Sequence, residues 1–213
     1  MNFRILAKLI AFLGTLTVPL VGHAQSISLE DLTAQIDART TEQNGFQALL
    51  TDPDPARAAA AMEIMMGSGD PVLQRMAMEE GIFSTNPSSR ADALKAFFNS
   101  GPTLSVFVSL TDALDERQQT WAKSQLSNLG GSVDENNIAY LSLRIGAFDA
   151  AQDCYVNAEQ PKLCLLRIND QVVSLLLLRF WNPMTLNDAG ELEGTATLYA
   201  SYPALPMRAP VTF

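Results

Sequence analysis

Three Asx-Pro pairs, Asp54-Pro55, Asp70-Pro71 and Asn86-Pro87, recur at intervals of sixteen residues. Each supplies a side-chain oxygen that can accept from free backbone N–H groups. Proline then takes the first helical position, where its missing N–H costs nothing. The segments that follow run about three turns, toward Gly67, Gly81 and Gly101, residues suited to ending a helix. Their apolar residues keep helical spacing: Ala58, Met62 and Met65; Val72 and Met76 beside Ala77; Ala91, Leu94 and Phe98. Glu79 interrupts the middle stripe, so that helix is either half exposed or turned toward Leu73 and Ala77. Helices this short must bury a face to persist, and connections of about four residues fold neighbours antiparallel.

Helical patterning begins earlier. Ser28 with Asp31 three places on forms a capping-box pattern, and Leu29, Leu32 and Ile36 make one apolar stripe. A short second helix carries Phe46, Leu49 and Leu50. Residues 25–101 therefore read as a domain of antiparallel helical hairpins, either a bundle or a short α-solenoid. Residues 52–101, opening on Asp52-Pro53-Asp54-Pro55, resemble HEAT-like helical-hairpin repeats. Repeats of that class serve as binding surfaces, which is what the resemblance implies here.

Strand character starts after Gly101-Pro102 and fills residues 102–213. Leu104–Val108 is the first expected strand, followed by a helix near 112–129 that Gly130-Gly131 end. Tyr140–Ile145 and Lys162–Ile168 follow, then a tight turn at Asn169-Asp170 into Val172–Trp181. The apolar run Val172–Leu178 fits a central strand buried on both faces. Asn187–Gly190 forms the next turn, into Leu192–Tyr199, and proline-rich spacing at 203–210 leads to a last strand, Val211–Phe213. Five to seven strands joined by short turns predict an antiparallel sandwich or partial barrel with one inserted helix. The fold class is α+β.

Residues 1–24 read as a cleavable export signal. Arg4 and Lys8 precede an apolar run, Leu9–Val21, and a cut is expected after Ala24. At about thirteen residues the run is short of the ~20 that span a bilayer. Nothing downstream is long and apolar enough to span one. The expected location is periplasmic or extracellular. Cys154 and Cys164 are then most simply a structural disulfide.

Removal of Arg4 and Lys8 takes the formal charge from −9 to −11, which argues against nucleic acid and anionic lipid as partners. The only histidine, His23, leaves with the signal. A mature chain without imidazole lacks the commonest general base and zinc ligand. No Ser-x-x-Lys occurs, and Ser68, between Gly67 and Gly69, reads as a turn. No phosphate-binding glycine loop is present, and no catalytic residue, cofactor or metal is assigned. Asn187, Asp188, Glu191 and Glu193 miss the alternating oxygen register of an EF-type calcium loop.

Paired carboxylates remain the one open catalytic route, with Asp149, Asp153, Glu191 and Glu193 as candidates. The methionines Met62, Met65, Met66, Met76 and Met78 suit ordinary core packing or an adaptable binding surface. The leading expectation is an exported, non-enzymatic binding module whose partner is a protein or cell-envelope component. A carboxylate-dependent glycan hydrolase and a carrier of a small apolar ligand in the β domain are the alternatives.

Overall fold

A computed structural model describes residues 28–110 and 114–212; the expected signal and His23 lie outside them, as do Thr111–Ala113 and Phe213. Met1–Thr41 and Glu42–Phe213 are separate units by chain contacts. Of the first, only the start of α1 (Leu29–Leu50) is described. The Ser28 hydroxyl accepts from the Asp31 N–H at 3.0 Å and donates to the Asp31 carboxylate at 2.7 Å, closing the helix start. Leu29, Leu32 and Ile36 lie on this helix but are exposed. Two separate helices were expected up to Leu50, and instead α1 continues through Gly45. A mid-helix glycine costs about 1 kcal/mol against alanine. Burial of Leu50, with Phe46 beside it, against Met62, Met65 and Ala77 offsets that cost.

Helices α2 (Pro55–Gly67), α3 (Pro71–Phe83) and α4 (Pro87–Asn99) each start on the expected Asx-Pro pair. Asp54 Oδ1 accepts from Ala56 N at 3.0 Å, Asp70 Oδ1 from Val72 N at 2.8 Å, and Asn86 Oδ1 from Ser88 N at 2.9 Å. In α3 the buried side carries Ala77, with Leu73 partly buried, while Val72 and Glu79 face outward. Gly81 does not end α3. It is buried inside the helix, where an added Cβ would sit 2.5 Å from Ala93 Cβ and 3.1 Å from Met62 Sδ. The missing side chain lets α4 approach α3, so this glycine serves packing rather than termination.

The rest is one antiparallel sheet with a helix inserted. In chain order its strands are β1 (Thr103–Ser109), β2 (Ser132–Val133), β3 (Ile138–Asp149), β4 (Cys154–Asn157), β5 (Cys164–Asn169), β6 (Val172–Leu177), β7 (Phe180–Leu186), β8 (Glu191–Ala196) and β9 (Leu205–Pro210). Helix α5 (Glu116–Asn128) lies between β1 and β2, started by a capping box of Asp115 and Gln118. Strands β3 to β9 meander, β9 meets β1, and β1 returns to β3, closing a barrel of eight strands with β2 as an extra strand on β3. The β1–β9 seam is thin, with only Phe107↔Arg208 and Val108↔Met207 in register. Pro206 and Pro210 bracket that short ladder, and proline has no N–H to extend one.

Several expected strand limits shift. Val172–Trp181 is two strands, because the chain turns at Leu178-Arg179, with Leu178 at φ 56°. Alternation replaces burial on both faces: Val173, Leu175 and Leu177 point inward, while Val172 is exposed. An unbroken apolar run concealed a turn that carries neither glycine nor asparagine. The Asn169-Asp170 turn moves one residue on, with Asn169 still paired to Val172. The expected last strand is displaced into the proline-rich stretch itself. There Leu205, Met207 and Ala209 alternate inward against outward Pro206 and Arg208.

One core runs from α4 through the barrel to α5. Leu94, Phe97 and Phe98 of α4 join it at one barrel end, and Tyr155 from β4 donates to Asn99 Oδ1 at 2.9 Å. At the same end Arg90 reaches the β7–β8 hairpin, donating to Leu186 O at 2.6 Å and Asn187 O at 3.0 Å. At the other end α5 adds Ala122 and Leu126 to the core, and Trp121 meets Tyr199 and Tyr202 of the β8–β9 connection. Inside, Asn182 is 1 % exposed and fully engaged. It donates to Leu175 O and Phe180 O and accepts from Thr197 N.

Arg90 makes a testable clamp. Its ion pair with Asp188 is 3.4 Å long and the aspartate is fully exposed, so that pair contributes little. The two carbonyl bonds carry the interaction, because burial makes them costly to lose. Arg90→Met should cost about 2 kcal/mol in urea unfolding. Asp188→Ala should stay within about 0.5 kcal/mol. Equal effects of the two would refute the assignment.

Candidate functional site: a groove across α2, α3 and α4

The groove follows from the three matched helix starts. Helices α2 and α4 flank α3, and between them lies a cleft of about 930 Å³. One wall is α2, whose alanine-rich sequence presents Ala56, Ala59 and Ala60 with Glu63 one turn further on. The opposite wall is α4, where Ser88, Asp92, Lys95 and Asn99 recur at helical spacing. Those positions lie opposite Ala93, Leu94, Phe97 and Phe98, which bury toward the core. Packing of the apolar face fixes the polar face toward the cleft. Met62, Met66 and Met78 line it with Gln74, whose amide donates to Met66 O at 3.0 Å.

Glu63, Asp92 and Lys95 form no ion pair among the described residues. Asn99 is held by Tyr155, and burial pushes the Tyr155 phenol above its ordinary range. The Tyr155 hydroxyl bond to Asn99 ties the α4 wall to the barrel. Ser68, expected in a turn, is in one: its hydroxyl donates to Met65 O at 2.8 Å and accepts from Asp70 N at 3.1 Å.

The carboxylates singled out in the β half are otherwise placed. Asp149 holds the β3–β4 turn, accepting from Gln152 Nε2 at 2.7 Å and Ala151 N at 2.9 Å. The Gln152 side-chain bond, then that from Ala151, keep its carboxyl below the usual aspartate value. Asp153 follows in the same turn at φ 52°. Glu191 bonds Arg208 at 2.9 Å. Glu193 lines a second groove of about 440 Å³ at the β1–β9 seam, with Phe107, Met207 and Arg208. Both grooves lie outside the barrel. Asn187 organises a hairpin turn, its Oδ1 accepting from Ala189 N and Glu191 N at 2.9 Å each.

Among the described residues, no group of three or more His, Cys, Asp or Glu side chains is placed to hold a metal. Cys154 and Cys164 are bonded to each other across β4 and β5, with Cα atoms 5.8 Å apart. Glu63, Asp92, Lys95 and Asn99 are not among the residues that the sequence marks as candidates. Their signal was the polar stripe Ser88/Asp92/Lys95/Asn99 opposite Leu94 and Phe98. What it lacked was any indication that α2 would stand across from it. No protein-family model, curated protein or solved structure matches this chain.

Proposed function

We propose that this chain is an exported, non-enzymatic binding module of the cell envelope or secreted space, and that it takes a protein partner in the α2–α4 groove. The groove carries the reading: a large cleft whose walls present charged side chains that form no ion pair among the described residues. Clefts of this size with a few convergent polar groups are the default binding sites of unassigned folds. A Cys154–Cys164 disulfide is consistent with export. So is the finding that no helix among the described residues is long and apolar enough to cross a membrane.

Ala59 is exposed and lines the cleft, so Ala59→Arg blocks it at small cost to stability. Mature protein taken from the envelope fraction should begin at Gln25. Cross-linked to its surroundings there, it should retain one partner that the Ala59→Arg form loses. Recovery of the same proteins by both forms would refute the groove as the site.

A second reading, glycan hydrolysis by two carboxylates, takes its support from Glu63 and Asp92 lining one cleft. It requires their carboxyl groups about 5–9.5 Å apart. Turnover of a labelled envelope glycan that Glu63→Gln abolishes would establish it in place of the first.

A further inference from the structure

We infer that the occupant of the α2–α4 groove is a basic, amphipathic polypeptide segment, its apolar side chains on the methionines and its lysines or arginines against Glu63 and Asp92. The inference rests on the binding-module reading and names the partner's chemistry. Three features of the groove converge on it.

First, Met66 and Met78, both half-buried, line the cleft, with Met62 buried beneath them. Unbranched, polarisable thioethers adjust to apolar side chains of varied shape, which suits a peptide better than a rigid small ligand. Second, the α2 wall is built of alanines, so a chain can approach close to the helix backbone along its length. Third, the charge balance favours a cation. Glu63 and Asp92 come from different helices, and only Lys95 opposes them. The one cation of α2, Arg57, is paired with Asp52 at 3.2 Å. The whole chain carries a formal charge of −9, so its field adds to the local preference. An acidic segment meets like charge in the cleft and around it. A neutral apolar segment desolvates two carboxylates with only Lys95 there to pair them, which is costly. Basic side chains bonding to carboxylates gain charge-assisted hydrogen bonds and keep both groups satisfied.

The probe is a set of three synthetic peptides of equal length and identical leucine spacing. Their polar positions carry lysine, glutamine or glutamate. The readout is the ε-methyl NMR signals of the mature chain labelled at methionine, with the buried Met184 of the barrel as internal control. The lysine peptide should shift Met66 and Met78 and leave Met184 in place. Its affinity should fall about tenfold or more in the Glu63→Gln/Asp92→Asn form, a change of about 1.4 kcal/mol. Glu116→Gln/Glu135→Gln, which removes equal charge elsewhere, should leave it nearly unchanged.

Equal weakening by both double variants would mean diffuse attraction to an acidic protein, and would overturn the inference. Binding of the glutamine or glutamate peptide in the groove as tightly as the lysine peptide would overturn it too, while leaving the groove as a binding site. If none of the peptides moves the groove methyls, the inference falls. The Ala59→Arg capture comparison then judges the binding-module reading separately.

Discussion

Phe98→Ala should lower the unfolding free energy by about 3–5 kcal/mol, the largest effect expected of any single substitution considered for this chain. Phe98 is 0 % exposed at the junction between α4 and the barrel. Its ring lies 5.1 Å from Phe97 and 5.8 Å from Tyr155, centroid to centroid. Truncation removes the transfer energy of the ring and leaves a cavity that little can fill. Helix α4 meets the barrel through Leu94 and Phe97 on one side and strand hydrogen bonds hold the other, so neither wall can collapse inward. Urea unfolding measures the loss directly. Ile64→Ala serves as the control, because Ile64 is 71 % exposed and should change stability by no more than about 0.5 kcal/mol. A cost below about 1 kcal/mol for Phe98→Ala would mean that α4 does not share a core with the barrel. The groove would then lose the support that fixes its polar wall.

Removing the Cys154–Cys164 bond is the second large effect. The pair closes a loop of sequence separation 10, and the chain-entropy estimate gives about 2.5–3 kcal/mol. The local structure concentrates that loss in β4. This strand is four residues long, and its register shifts on both edges, against β3 and against β5. With few regular ladder bonds, β4 depends on its covalent link to β5 more than any longer strand would. The Cys154→Ser/Cys164→Ser form should therefore unfold at lower urea. Its amide exchange should rise first at Tyr155 and Val156. Since Tyr155 also bonds Asn99, exchange should rise next at the end of α4. Uniform acceleration across all strands, with no early response in β4, would contradict this account.

Helix starts were legible because they are local. An Asx side chain accepting from the N–H two residues on, with proline next to it, needs no distant partner, and all three starts fall where the residues place them. The Asn187–Gly190 turn was legible for the same reason, with Gly190 at φ 76°. Gly81 misled because a glycine needed for close helix packing has the same letter as one needed for a helix end. Leu178 misled because a leucine with positive φ is uncommon, and only the pairing of β6 with β7 imposes it. The proline-rich stretch misled because prolines are tolerated where a strand's edge meets its neighbour only briefly, a property of the barrel seam.

The succession of a helical part and a strand-rich part with one inserted helix, the α+β class and the nearness of the two cysteines belong to the sequence alone. Each follows from periodicity or from interactions within a few residues. Tertiary structure decided how the sheet closes, which side of each short helix faces inward, and which charges share a cleft. Those outcomes depend on side chains far apart in the chain competing for one core. Glu63 and Asp92 line one groove because Phe97 and Phe98 bury toward the barrel and Gly81 lets α4 lie close on α3, and no local pattern of residues records that result.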